Sequence, residues 1–149
     1  MKKTYLLILL ILFVSVQVLT FQKSTDASEG NKMKIKLIFD DAVLTATMKD
    51  NPTARDFISL LPLTLTLDDY ANTEKVSNLP GKLSLKGAPS GSNPEKGDIT
   101  LYAPWGNLAI FYKDFGYADG LIILGSIDSN VEYLSRLKGS MKVRIEVNK

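Results

Sequence analysis

The 149-residue chain contains neither histidine nor cysteine. That removes Ser-His-Asp and Cys-His nucleophilic catalysis and zinc sites of the usual Cys/His kind. Carboxylates, lysines, tyrosines and three arginines beyond the leader are left to move protons. Asp98 and Asp114 flank the most distinctive stretch, residues 97–117, but spacing in sequence does not set two carboxylates across a substrate, and a glycosidase pair does not follow. The loop at 87–97 is rich in Gly, Pro and Ser, yet it has neither the Gly-Lys-Ser/Thr of a phosphate loop nor a G-x-G-x-x-G. Asp40-Asp41 would suit a cation, but turns favour Asp for local hydrogen bonding. No catalytic residue, metal or cofactor is assigned.

What remains is the chemistry of binding. Residues 97–117 hold the sole tryptophan, Trp105, together with Phe111, Phe115 and Tyr117. These four rings suggest an aromatic-lined pocket mouth, and the plainer alternative for each is core packing. Tyr70 lies among charged residues and lines a site or sits at the surface. Glu74 and Lys75 read as a solvated pair. Asn107 either points its amide into a pocket or caps the turn, with the turn favoured. The expected ligand-binding set is Tyr70, Trp105, Asn107, Phe111 and Phe115, facing a peptide or small molecule.

These residues must be positioned by strands. Ile99, Leu101 and Ala103 alternate with Thr100 and Tyr102, and Leu108, Ile110 and Tyr112 alternate with Ala109 and Phe111. Period two marks strands with a buried face. Pro104 and Gly106 place a turn between them. Ile35, Leu37 and Phe39 followed by Leu44, Ala46 and Met48 predict a hairpin around Asp40-Asp41. Leu63, Leu65 and Leu67 predict a third strand, Leu83 and Leu85 a short one, and residues 68–76 a loop. Leu121-Ile122-Ile123-Leu124 is apolar on both faces, with Gly125 allowing a close backbone approach. Met141, Val143, Ile145 and Val147 form the last strand. Asn51-Pro52 starts a helix as N-cap and first helical residue; Ala54, Phe57, Ile58 and Leu61 give it an apolar face, and Pro62 ends it. Ser129 and Glu132 make a capping box for a second helix. The count is about eight strands and two helices, which fits a mainly β fold: a closed eight-stranded barrel capped by two short helices.

Three segments are expected. Residues 1–21 join a basic start to an apolar run and read as a secretory signal or an uncleaved membrane anchor. A lipid anchor is excluded because no cysteine exists to carry it. Residues 22–32 are a polar linker. The domain, 33–149, holds 14 basic and 14 acidic residues, a balance that argues against nucleic acid as a partner. It should lie outside the cytoplasmic membrane, touching it only through the N-terminal segment.

Residues 67–75 (LDDYANTEK), Gly97-Asp98-Ile99, residues 104–112 (PWGNLAIFY) and residues 120–125 (GLIILG) resemble the cyclophilin-like family of small bacterial and archaeal proteins, and the likeness covers essentially all of 33–149. It implies an eight-stranded barrel with two helices. True cyclophilins are peptidyl-prolyl isomerases, which rotate a bond whose barrier is about 18–20 kcal/mol. Their site uses an Arg donor in a strand with a Phe and a Gln, and a Trp and a His at the rim. Here only Arg55, Arg136 and Arg144 exist in the domain. The first two fall on predicted helices, Arg144 on the outward side of the last strand, and the His is absent. The resemblance therefore implies the fold and a pocket, not the catalytic residues. Three readings follow: an extracytoplasmic binding module first, a structural envelope domain second, and an isomerase with a reorganised site third.

Overall fold

A computed structural model describes residues 32–149. The signal or anchor segment and all of the linker except Lys32 lie outside the described residues. Ten strands and two helices follow in chain order. They are β1 (Lys34–Ile38), β2 (Val43–Met48), α1 (Pro52–Ser59), β3 (Leu63–Tyr70), β4 (Glu74–Asn78) and β5 (Gly91–Ser92), then β6 (Asp98–Tyr102), β7 (Asn107–Phe111), β8 (Ala118–Asp119), β9 (Leu121–Ile127), α2 (Glu132–Arg136) and β10 (Met141–Val147).

Eight of the strands close a barrel in the order β1-β10-β3-β4-β7-β6-β9-β2, with every neighbouring pair antiparallel. Closure pairs most of the edges that an open sheet would present, although β3 and β4 meet only over three residue pairs. The alternating positions read from sequence supply the interior: Ile35 and Leu37 from β1, Leu44 and Ala46 from β2, Leu108 and Ile110 from β7, Val143 and Ile145 from β10. Each of these isoleucine, leucine and valine side chains contributes roughly 1.5–3 kcal/mol by leaving water. The register of β6 against β9 slips between Ile99 and Thr100, so Ile99 faces Gly125 while Thr100 faces Ile123. The extra residue, Leu124, turns into the core, where it is fully buried. Gly125 is needed at that point, because a Cβ there would sit 2.6 Å from the Thr47 carbonyl on β2.

α1 forms as its sequence dictates. The Asn51 side chain accepts from the Ala54 N–H at 2.8 Å, Pro52 opens the helix, and Ala54 and Phe57 are fully buried. α2 departs from expectation. Val131 is its N-cap, with no side-chain cap. The Glu132 carboxylate that a capping box would use instead accepts from Lys96 Nζ at 2.6 Å, a distant partner outbidding a local one.

The count of eight barrel strands holds, but one member differs. Residues 83–85 are not a strand; Leu83 is buried in the core from an irregular segment. The eighth strand is β4, in the stretch expected to be a loop. Its inward-facing residue is a lysine, Lys75, which hides the alternation that hydropathy would reveal. The short ribbon β5–β8 also went unread, since two residues carry no period.

Candidate ligand-binding cleft on the barrel exterior

β7 is buried at all five positions. Leu108 and Ile110 face the interior, while Ala109 and Phe111 join Leu121 in a second apolar cluster with Val76, Tyr102 and Ala118. This second cluster lies on the outside of the barrel wall, and a cavity of about 410 Å³ opens over it. The outward residues of β4 (Glu74, Val76, Asn78) and of β7 (Asn107, Phe111) form its floor. Tyr70 at the end of β3, Trp105 in the β6–β7 turn and Phe115 in the loop after β7 form its walls. All five residues expected from sequence are thus brought together around one hollow. Tyr117 is not; its hydroxyl lies 3.1 Å from Ser90 Oγ, and its ring packs where a Cβ on Gly91 would fall.

Each ring is held in place. Trp105 is 66% exposed, yet it stands edge-on to Tyr102 at 5.3 Å and to Tyr70 at 6.2 Å between centroids. Its turn is closed by the Trp105 and Gly106 N–H groups donating to the Tyr102 carbonyl at 3.2 and 2.8 Å. Gly106 takes a φ of 69° there, which suits glycine best. Beneath the turn, Gly120 (φ 74°) leaves room for Pro104, whose Cδ would lie 2.7 Å from an added Cβ. Phe115 lies 6.2 Å from Phe111. Its N–H donates to the Pro94 carbonyl at 3.1 Å, and Asp114 accepts from the Lys96 N–H at 2.8 Å. Asp98 likewise accepts from the Glu95 N–H at 2.9 Å. The two carboxylates that flank this stretch therefore fasten loops.

The opposite wall depends on an ion pair between a buried lysine and a partly exposed aspartate. Lys75 is 1% exposed, so it is no solvated partner of Glu74. Its ammonium donates to Asp69 Oδ1 and to the Leu137 carbonyl, both at 2.8 Å, and lies 5.3 Å from the Tyr112 ring centroid. The Tyr112 hydroxyl donates to the same Asp69 oxygen at 2.7 Å. Burial pushes the Asp69 carboxyl up, but the Lys75 and Tyr112 hydrogen bonds outweigh it and hold the group below its ordinary value. With Lys75 drawn inward, strand alternation turns Glu74 and Val76 outward into the cleft. Glu74 is half-buried against that apolar surface, and burial raises its carboxyl above the ordinary value.

Asn107 does not cap the turn. It is 7% exposed, and its Oδ1 has no hydrogen-bond partner among the described residues. A buried polar atom left unpaired costs roughly 1–3 kcal/mol. No arginine reaches the cleft: Arg55 pairs with Asp50 and Arg144 with Glu146.

The protein is thus a closed antiparallel barrel with a packed interior and an aromatic cleft on its outer wall. The chain belongs to the cyclophilin-like family, whose model matches residues 37–146. A hypothetical protein of Archaeoglobus fulgidus, known from its solution structure, shares the fold with a TM-score of 0.61 at 15% identity, over 82% of this chain and 99% of that one. No curated protein matches the chain.

Proposed function

We propose that the protein is an extracytoplasmic binding module that holds a peptide or small ligand in the cleft between Tyr70, Trp105, Asn107, Phe111 and Phe115. The observation that carries this reading is the unpartnered Asn107 amide oxygen buried beside an open, aromatic-walled hollow. A hollow of this size and composition, with few polar groups among many apolar ones, suits small-molecule or side-chain recognition. A purely structural domain would gain stability by filling such a site with an apolar residue. Prolyl isomerisation is less well supported, because the cleft offers no guanidinium to relieve amide resonance as the bond twists. The extracytoplasmic location rests on the leader sequence.

Trp105 is the sole tryptophan, so its emission reports the cleft directly. Titration of the full chain with a panel of peptides and neutral aromatic metabolites should give a saturable change in emission for at least one member. A flat response across the panel, at millimolar concentrations, would refute the binding reading. Exchange spectroscopy on an X-Pro peptide in the same samples separates binding from isomerisation: accelerated exchange would restore the isomerase.

A further inference from the structure

The barrel wall is not continuous beside the cleft. β3 pairs with β4 only over residues 68–70 and 74–76. Continuing that register would set Leu67 opposite Ser77 and Thr66 opposite Asn78, but among the described residues neither pair forms. Residues 63–67 pair with β10 alone, and Ser77 and Asn78 with β7 alone. Two strand edges thus face each other unpaired, and a hollow of about 440 Å³ lies along them, lined by Thr64, Leu65, Thr66 and Asp68 on one side and by Ser77 and Asn78 on the other. It is continuous with the aromatic cleft, for Val76, Asn78 and Asn107 line both.

Resting on the cleft as a binding site, we propose that its occupant is an extended peptide that adds a strand along the seam between β3 and β4 and lays an arginine or lysine side chain in the aromatic cleft. Three observations carry this. An unpaired strand edge offers the backbone N–H and C=O groups that strand addition uses. Asn107 lies at the junction of the two hollows, and a turn of its buried, unpaired amide toward them would offer a peptide group both an acceptor and a donor. The cleft lining contains one carboxylate, Glu74, and no cationic side chain. Its aromatic faces and apolar floor suit a long aliphatic stem ending in a cation. Lys142 faces Thr66 from β10, on the far side of β3 from the cleft, and lines neither hollow.

The test uses the full chain and the blocked pentapeptide Thr-Val-Arg-Val-Thr. Its comparators replace Arg with citrulline, which keeps shape but not charge, or methylate alternate backbone nitrogens, which removes strand donors but not side chains. The parent should change Trp105 emission and slow amide hydrogen exchange at residues 63–67 and 77–78. Citrulline, or Glu74→Gln in the protein, should weaken binding about tenfold, and N-methylation by a similar factor or more. Equal affinity for the N-methylated peptide, or no slowing of exchange in the seam, overturns strand addition. Equal affinity for citrulline overturns the cationic anchor. A Trp105 response to the neutral panel with none to this peptide refutes the peptide and leaves the cleft standing; silence to both refutes both.

Discussion

At Asn107 the stability of the unliganded protein and the proposed recognition pull in opposite directions. Its unpaired amide oxygen is buried in a wall where a leucine, of the same branching but larger and without polar atoms, would leave nothing unsatisfied. Asn107→Leu should therefore stabilise the unliganded protein by about 1 kcal/mol, seen as a higher urea midpoint, while abolishing the Trp105 response to any peptide that binds the parent. An unchanged or lower midpoint would contradict the cost assigned to the buried amide oxygen. The buried phenols act at alkaline pH. Burial first, then the hydrogen bond to Asp41, pushes the Tyr133 hydroxyl up to about 12, and burial and Asp69 raise Tyr112 in the same direction. A pKa raised on folding means that the folded state favours the proton. This contribution is fully present below the unfolded value of about 10 and is lost as pH rises from there through the folded value. Urea midpoints should be level from pH 8 to 9.5 and then fall towards pH 11, with Tyr133→Phe showing a shallower fall.

At the scale of elements, the β3–β4 hairpin is held by charge where the other strands are held by hydrocarbon. Removing Asp69 leaves the Lys75 ammonium buried with the Leu137 carbonyl for company, whereas removing Lys75 leaves a carboxylate that already reaches solvent. Asp69→Ala should cost about 3–5 kcal/mol and Lys75→Met clearly less, by urea unfolding; the reverse order would contradict the geometry. The same pair explains which element the sequence concealed. Strands with aliphatic inward faces were legible from alternation alone, as β1, β2, β3 and β10 show, and α1 was legible from Asn51-Pro52. β4 was not, because a lysine faces in and a glutamate faces out, and hydropathy reads that as loop. The Ser129–Glu132 box failed for a related reason: a local motif has no knowledge of Lys96 arriving from another loop. The turn carrying Trp105 depends in turn on β8–β9 through Gly120. Gly120→Ala, strained by its positive φ and crowded against Pro104, should cost about 1–3 kcal/mol and shift Trp105 emission before any ligand is added.

Across the whole molecule, the barrel interior is filled by packing and the aromatic cleft lies on the outer wall. Alternation along β7 achieves both, giving Leu108 and Ile110 to the core and Asn107 and Phe111 to the cleft. The five cleft residues were legible as aromatic and amide side chains near turns. Glu74, Val76, Asn78 and Leu121, which complete the cleft, were not, because their outward direction depends on Lys75 and on a bulge in β9 that only tertiary pairing reveals. The Gly97–Tyr117 rings suggested a mouth that included Tyr117, but the β5–β8 ribbon draws that ring to Ser90 instead. The most direct test of the cleft as a ligand site is amide and side-chain shift mapping by NMR on the isotopically labelled full chain, titrated with the Thr-Val-Arg-Val-Thr peptide and the neutral panel. The expected result is a set of saturable shifts centred on Tyr70, the Trp105 indole, the Asn107 side-chain amide, Phe111 and Phe115, with the opposite side of the barrel around β1 and β2 unmoved. Saturable shifts that map elsewhere on the barrel, with the Asn107 amide and the Trp105 indole unmoved, would contradict it.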